Sequence, residues 1–310
     1  MTAERTRREA NFFDQWAPFS AGLLPETYHF DEVNHVLAME DLSGFTILTE
    51  ALKAADEDQQ VAIERIGRLL ARAFLGTSLA SLGPVEFSER LVESENPELA
   101  ELMELVVFDQ PWNTESLDHC HPELAGLVKE LLEDGEFMIQ IGELKYNFRT
   151  THEGLIHGDL HTGSVMVEGD ELRVFDAEFA RYGPIAWDLG EFIAHLRIAD
   201  VAHSIDGHGR VVAGRAELPS KFWRSFASEL RRGWERRNDL TLSDKYLDRW
   251  LDHQRVMTAR YAGAEIARRI TGVGKAALVE VLPEDQMLEA SRRLLDEARL
   301  LILEGKPTWR

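Results

Sequence analysis

The segment 155–191 contains two short acidic motifs, each preceded by a run of apolar residues. Residues 157–161 read HGDLH, and residues 176–178 read DAE. Between them, two apolar runs at 165–167 and 172–175 flank a Gly169-Asp170 turn, a pattern that predicts a β-hairpin. Such a hairpin brings Asp159 and Asp176 to the same end. Two carboxylates in one cleft repel each other unless a cation or a shared proton offsets the repulsion.

Phosphoryl transfer is one chemistry that needs such a pair. One carboxylate orients an attacking hydroxyl and receives its proton, while the other holds Mg²⁺ against the phosphates of a nucleotide. Each motif alone also fits a plainer structure, namely an Asx-capped loop for His-Gly-Asp and a solvated strand end for Asp-Ala-Glu. The two motifs in this order, with a hairpin between them, favour the catalytic interpretation.

The motifs resemble those of the aminoglycoside-phosphotransferase-like kinases, in which H-G-D replaces the H-R-D of protein kinases. Within that group the fit is closest to the methylthioribose kinase family. HGDLHTGS at 157–164 is followed by D-x-E-F-A at 176–180 and by Y-G-P-x-x-x-D-x-G-x-F-I-A from residue 182. The run G-x-x-x-x-R-R-I-x-G at 263–272 is also similar to this family, and aminoglycoside and choline kinases do not share it.

The resemblance implies a role for each motif. Asp159 would orient the substrate hydroxyl, and Asp176 and Glu178 would hold Mg²⁺. Arg268 and Arg269 would face the sugar and offset charge on the transferred phosphate. On composition alone, twin arginines on a helix are more often a solvated face. The residues that would meet ATP are Met39, Glu40 and Leu42 of the M-E-D-L segment, and Ser164, which stands where most relatives carry a metal-binding Asn.

Three further residues near the motifs have predicted supporting roles. His157 is expected to buttress the catalytic loop. His161 either forms a buried hydrogen bond, which is favoured, or lies next to the phosphate. Asp188, at the start of a helix, is predicted to brace the loop, because catalytic loops need support from the residues behind them.

The fold class expected is α+β, with a protein-kinase-like (aminoglycoside-phosphotransferase-like) fold. Residues 1–42 would be a remnant of the N-terminal nucleotide-binding lobe with its hinge, and 43–310 a helical C-terminal catalytic lobe. Apolar spacing and capping residues predict the small-lobe elements and then a series of helices. The predicted helices are 3–17 (ending before Pro18), 59–81, 97–107, 122–132, 137–151, 186–202, 219–238, 243–271 and 284–304, with strands at 26–30 and 33–39.

Composition and charge restrict the partners. Acidic residues outnumber basic ones 55 to 34, for a formal charge of −21, which argues against nucleic acid or an anionic membrane as the main partner. The single cysteine, Cys120, cannot form an internal disulfide and suits a reducing cytoplasm; its His-Cys-His-Pro context indicates a polar loop. Residues 1–9 are charged and lack the apolar core of a signal peptide. The loop at 205–214, with His208 and the nearby His203, is expected to be flexible and solvated.

A complete member of the resembled family would also show a Gly-rich loop and a strand Lys on the nucleotide phosphates. The sequence shows neither before residue 39. Glu9 aligns with the acid that would pair with that Lys, and without the Lys a solvated helix acid is favoured. A late start, a truncation and a degenerate paralogue each explain the difference, and weak ATP binding is expected of this polypeptide.

The function predicted is ATP-dependent phosphorylation of a small sugar hydroxyl, with S-methyl-5-thioribose in methionine salvage as the substrate that the resemblance implies. Another small alcohol, such as an aminoglycoside, choline or homoserine, is the alternative substrate class. A non-catalytic pseudokinase is the alternative outside enzymes. The partners expected are the sugar and the nucleotide, without nucleic acid or membrane, and the resemblance adds a homodimer.

Overall fold

The structure is a computed structural model that describes residues 3–54, 59–113, 117, 119–206, 215–239 and 241–309. A helix and a short hairpin form its first part. Helix α1 (Ala3–Ser20) buries Phe12, Phe13 and Trp16. The helix continues through Pro18 to Ser20, so the prediction that it ends before the proline was wrong. Strands β1 (Thr27–Asp31) and β2 (Val36–Met39) pair antiparallel, which places the turn at 32–35, a little later than the sequence indicates.

Two small sheets hold the acidic motifs. Strand β3 (Thr46–Ile47) pairs with β5 (Val165–Glu168), which pairs with β6 (Glu171–Val174), all antiparallel. Strand β4 (Gly154–Ile156) pairs with β7 (Arg181–Gly183). The predicted hairpin is therefore confirmed, with its turn at Gly169-Asp170. The pairing of β4 with β7 was not predicted, and it brings the start of the first motif beside the end of the second.

Helices make up most of the rest of the chain. They are α2 (Leu48–Ala54), α3 (Gln60–Thr77), α4 (Pro84–Glu93), α5 (Pro97–Glu104), α6 (Ala125–Glu133), α7 (Gly135–Thr150), α8 (Ile185–Ile205), α9 (Leu218–Trp234), α10 (Asp244–Thr271), α11 (Ala277–Glu280) and α12 (Glu284–Glu304). A π-helical turn (Leu105–Asp109) and 3₁₀ turns (Gln110–Trp112, Pro122–Leu124, Thr162–Ser164, Arg215–Glu217) complete the described elements.

Helix α8 is the centre of the helical core. Most of its residues are buried, because α9, α10 and α12 pack around it. Its buried polar residues, among them Asp188 and Glu191, lie within this packed core. Gly190 lets α10 approach closely: a Cβ at this position would lie 2.7 Å from Tyr261 Cβ and 2.9 Å from Thr258 O. Since α8 follows directly after β7, this packing fixes the helix relative to both acidic motifs.

The long predicted helices are confirmed, with shifts of a few residues at their ends. The structure adds α2, α4 and α11, which the sequence analysis did not predict. His203 lies on α8 with its Nε2 2.8 Å from Leu52 O, so the expectation of a loop position was wrong for His203. Cys120 lies in a loop, as expected, but its side chain is buried. His208 and the rest of 207–214 lie outside the described residues.

Candidate active site

The loop after β4 presents the first motif. Gly158 has a φ of +88°, a left-handed conformation that glycine adopts without strain. A Cβ at this position would lie 2.3 Å from the carbonyl oxygen of Phe179. The glycine is therefore needed both for the turn and for the close approach of the segment that follows the second motif.

Asp188 holds the backbone of this loop from below. Its carboxylate accepts hydrogen bonds from the N–H of His157 (2.7 Å) and of Gly158 (2.9 Å), while Trp187 Nε1 donates to Gly158 O at 2.9 Å. Burial raises the pKa of Asp188 to about 7, against the two N–H donors, which favour the carboxylate. The predicted brace is confirmed, and it acts on the main chain of the loop.

His157 links the two motifs. Its side chain is fully buried, with Nε2 2.9 Å from Phe175 O, the residue before Asp176. Burial lowers the pKa of His157 to about 4, so the ring is neutral at physiological pH and donates this hydrogen bond. The prediction of a buttressing role is confirmed.

Asp159 extends from this loop with 23% of its side chain exposed. Burial alone would raise the pKa of Asp159, but the nearby His161 ring, a hydrogen bond with Glu191 and the guanidinium groups of Arg268 and Arg269 together hold it below its usual value. The carboxylate of Asp159 lies 3.7 Å from His161 Nε2. An ionised carboxylate with one open side can accept a hydrogen bond from a bound hydroxyl.

Ser164 and His161 complete the loop that carries Asp159. The buried Ser164 hydroxyl donates to Asp159 O at 2.7 Å, and the N–H of Gly163 donates to His161 Nδ1 at 2.8 Å. The His161 ring stacks on that of His195 at 4.8 Å between centroids. Both side chains thus serve the shape of the loop, and His161 makes the hydrogen bond that was expected of it.

The second motif begins at an unusual backbone position. Asp176 has a φ of +64°, which aspartate tolerates better than most residues and which is common at functional sites. Burial raises the pKa of Asp176, and the negative charges of Glu178 and Asp159 raise it further. The structure therefore brings Asp159 and Asp176 within electrostatic reach of each other. Glu178 Oε1 lies 3.4 Å from Arg5 Nη1.

Glu9 belongs to the same acidic group, so the favoured expectation of a solvated helix acid was wrong. The backbone N–H groups of Ala177 and Asp176 lie near its carboxylate and favour the ionised form. Burial raises the pKa of Glu9 to about 7, and the charges of Asp176 and Glu178 add to this effect. Helix α1 has buried its apolar side against the core, which turns Glu9 toward the second motif.

Within the described ranges, no group of three or more His, Cys, Asp or Glu side chains has an arrangement that would enclose a metal ion. Magnesium in nucleotide sites commonly takes only one or two protein carboxylates and completes its shell with phosphate and water. The pair Asp176 and Glu178 satisfies that smaller requirement. Their mutual repulsion is what a divalent cation would relieve.

The twin arginines lie in the last turn of α10 and are largely buried, which excludes the solvated face that composition suggests. Arg268 Nε and Arg269 Nε both donate to Glu265, the latter at 2.6 Å. Their charges lower the pKa of Asp159, so they face the catalytic loop. Burial alone would raise the pKa of Glu265, but the two arginines and His195 hold it well below its usual value. The structure brings the arginines and Asp159 into one site.

Three residues of this site were not singled out from the sequence: Glu191, His195 and Glu265. Glu191 and His195 follow Asp188 on α8 at helical spacing, and Asp188, Glu191 and His195 all point toward the catalytic loop. The spacing of three and four residues is the signal that could have identified them, since side chains at these intervals share one helix face.

The M-E-D-L segment leaves β2 beside the hairpin. Arg173 on β6 binds Glu40 through two parallel hydrogen bonds of 2.8 and 2.9 Å, and the N–H of Glu40 donates to Glu26 O at 2.8 Å. Met39 and Leu42 are half-buried. The segment is thereby tied to the same hairpin that carries the second motif, while its role toward a nucleotide stays a prediction.

Comparisons with known proteins show the family to which the chain belongs. The family model described as "Phosphotransferase enzyme family" matches residues 1–223. The chain is 30% identical over 305 residues to a methylthioribose kinase of Exiguobacterium sibiricum, covering 97% of this chain and 77% of that protein. It is 30% identical to methylthioribose kinases of Bacillus pumilus and Geobacillus kaustophilus, covering 71% and 77% of them.

Solved structures show the same fold. A glucosamine kinase in complex with glucosamine, ADP and inorganic phosphate superposes with a TM-score of 0.52 at 15% identity, covering 95% of this chain and 70% of that one. Another crystal form of glucosamine kinase gives a TM-score of 0.51. The predicted kinase-like α+β fold is confirmed. No helix in the described ranges combines the length and apolar character that a bilayer span requires. Because the family model matches more than half of this chain and the methylthioribose kinases are relatives at 30% identity over most of their length, the chain belongs to the phosphotransferase enzyme family.

Proposed function

We propose that the chain transfers the γ-phosphoryl group of ATP to the anomeric hydroxyl of S-methyl-5-thioribose, the step that feeds this sugar into methionine salvage. The observation that carries the proposal is the convergence of Asp159 with Arg268 and Arg269 at the end of α10. This combination of a carboxylate and paired guanidinium groups suits a sugar hydroxyl and a phosphoryl group at the same place. The 30% identity to methylthioribose kinases supports the choice of sugar.

In the proposed reaction Asp159 orients the hydroxyl and receives its proton. The hydroxyl oxygen forms a bond to the γ-phosphorus, and the bond from that phosphorus to the β,γ-bridging oxygen breaks, so ADP leaves with the electron pair. Arg268 and Arg269 offset the negative charge on the phosphoryl oxygens during transfer. An Asp159 pKa below its usual value suits this role, because the carboxylate is ionised at neutral pH when the hydroxyl arrives.

The acidic pair of the second motif would hold Mg²⁺, which when bound lowers the repulsion between ATP and the site. Asp176 and Glu178 are the residues for this role, and Glu9 lies beside the backbone N–H groups of the same motif. Met39, Glu40 and Leu42 are proposed to meet the adenine ring through the main chain. The division into a nucleotide-binding part at 1–42 and a catalytic part at 43–310 belongs to the same proposal, as does a cytoplasmic setting, where ATP is available.

The proposal is tested by ADP release from the 310-residue chain with methylthioribose, ribose and kanamycin as acceptors. Methylthioribose is expected to give the highest kcat/KM of the three, and Asp159→Asn is expected to lower kcat by about 10²- to 10⁴-fold, the usual range for a general base. Glu229→Gln, a buried glutamate on α9 paired with Arg72 and Arg232, is the matched carboxyl-to-amide control. Equal turnover of all three acceptors would refute the choice of sugar, and full activity of Asp159→Asn would refute the base.

A further inference from the structure

Glu191 is a buried carboxyl group for which the proposed reaction has no role. It lies on α8 one turn after Asp188, with 0% of its side chain exposed. Neither of its oxygens receives a hydrogen bond from a donor in the part of the chain that the structure describes. Its nearest cation is Arg268, whose Nη2 is 3.5 Å from Glu191 Oε1, while Asp159 stands within hydrogen-bond reach.

The charges around Glu191 are already balanced without it. Arg268 and Arg269 are the two cations, and Glu265 and Asp159 are the two anions that face them. Burial lowers the pKa of both His161 and His195, so these rings add no positive charge at neutral pH. An ionised Glu191 would therefore be a buried anion in excess, which is costly in a low-dielectric interior.

A proton on Glu191 removes this excess and explains its position against Asp159. Two carboxyl groups can share a hydrogen bond only if one of them carries the proton. Burial raises the pKa of Glu191 well above its usual value, helped by the charges of Asp159 and Glu265, whereas the pKa of Asp159 is lowered. The proton thus resides on Glu191, and Asp159 is the acceptor.

We infer that Glu191 is a positioning residue: as a neutral carboxylic acid it donates a hydrogen bond to Asp159 and fixes the orientation of the proposed base. The inference rests on the proposed role of Asp159. One carboxylate oxygen of Asp159 is held from the α8 side, which leaves the other to accept the hydrogen bond of the sugar hydroxyl. A base held in one rotamer keeps the reacting groups in the geometry that transfer needs.

The test compares Glu191→Gln with Glu191→Ala in the full chain. The glutamine amide keeps a donor toward Asp159 but has no proton to lose, so its kcat is expected within about threefold of wild type. Alanine removes the donor, and kcat is expected to fall about 10- to 100-fold, as for other misplaced catalytic groups, while KM for ATP stays unchanged. Glu229→Gln again controls for the change of a buried carboxyl to an amide.

The pH profile separates this role from simple packing. In the wild type, loss of the Glu191 proton at high pH places a third anion beside Asp159 and Glu265, so kcat falls on the alkaline side. Glu191→Gln is expected to lack that decline. The other groups that face this carboxyl are Asp159 on the loop and Glu265, Arg268 and Arg269 on α10, and they are identical in the two proteins. The comparison of wild type with glutamine remains decisive if Glu191→Ala does not fold.

Three results would overturn the inference. Glutamine as slow as alanine would mean that the anion is required, and full activity of alanine would mean that Glu191 has no part in the reaction. If kcat of Glu191→Gln falls at high pH as it does in the wild type, another group causes that fall, and the proposal that Glu191 acts as a neutral donor is refuted. Failure of the proposed function is distinguishable: a wild type that prefers another sugar refutes methylthioribose, and the same variants are then compared with that sugar.

Discussion

Replacement of Asp188 by alanine should lower the free energy of unfolding more than the same replacement of an exposed acidic residue on α8. The carboxylate accepts two buried N–H groups, those of His157 and Gly158, at 2.7 and 2.9 Å. An unsatisfied buried donor costs about 1 to 3 kcal/mol, so two of them predict a loss of about 2 to 6 kcal/mol in the free energy of unfolding. This is a large part of the roughly 5 to 15 kcal/mol that stabilises a typical domain. Asp188→Asn keeps one acceptor oxygen and should lose about half as much.

Urea unfolding followed by circular dichroism measures the loss, and it is best done at pH 8. The pKa of Asp188 is raised to about 7 by burial, so the carboxylate is mainly ionised there. Asp200→Ala is the matched control on α8: Asp200 is partly exposed and pairs with Arg197 at 2.6 Å, a contact worth about 0 to 1 kcal/mol. If Asp188→Ala and Asp200→Ala unfold at the same urea concentration, the reasoning about the brace is refuted.

Three further outcomes follow from the site. Gly158→Ala places a Cβ 2.3 Å from Phe179 O at a φ of +88° and should lower kcat by about 100-fold while the chain stays folded; activity near that of wild type would contradict the need for glycine. Glu40→Gln breaks one of its two hydrogen bonds to Arg173 and should cost about 1 kcal/mol in urea unfolding, with a rise in KM for ATP; an unchanged KM would separate this segment from the nucleotide. The pKa of His195 is lowered from 6.5 to about 3, mainly by burial and also by the charge of Arg269. As pH falls from 6.5 toward 3, the unfolded chain therefore binds a proton that the folded chain does not, and the free energy of unfolding decreases. At pH 5 this amounts to about 2 kcal/mol relative to pH 8, and unfolding of His195→Gln at the two pH values should show a correspondingly smaller loss.

The sequence predicted the elements whose pattern is long or sharply bounded. Helix α12 has the predicted bounds because Pro283 precedes it and Gly305 follows its last turn. The hairpin was predicted correctly because a Gly-Asp turn separates two apolar runs. Helix α2 was missed because it has only seven residues. Helix α4 has no buried residue and packs against the core through Phe87 and Leu91, a single turn of apolar spacing that is too short to predict a helix.

The parts of the site that are contiguous in sequence were the easier ones to find. Asp159 and Asp176 stand in motifs, whereas Glu9 and Glu191 become site residues only through packing. The orientation of α1 depends on where Phe12 and Trp16 are buried, and this determines whether Glu9 meets solvent or the second motif. Glu191 depends in the same way on how α8 turns against α10. The direction in which each helix turns its polar side chains depends on tertiary contacts, and the spacing of apolar residues does not specify those contacts.

Asp188, Glu191 and His195 share one side of a single rigid helix, and the opposite contact at Gly190 leaves no room for a side chain. A rotation or shift of this helix would therefore displace Asp188, Glu191 and His195 together. Sequence differences between relatives with different acceptors are then expected where α8 meets α10, at some distance from the loop that is proposed to contact the sugar. A larger side chain at position 190 would change the positions of Asp188, Glu191 and His195 at the same time.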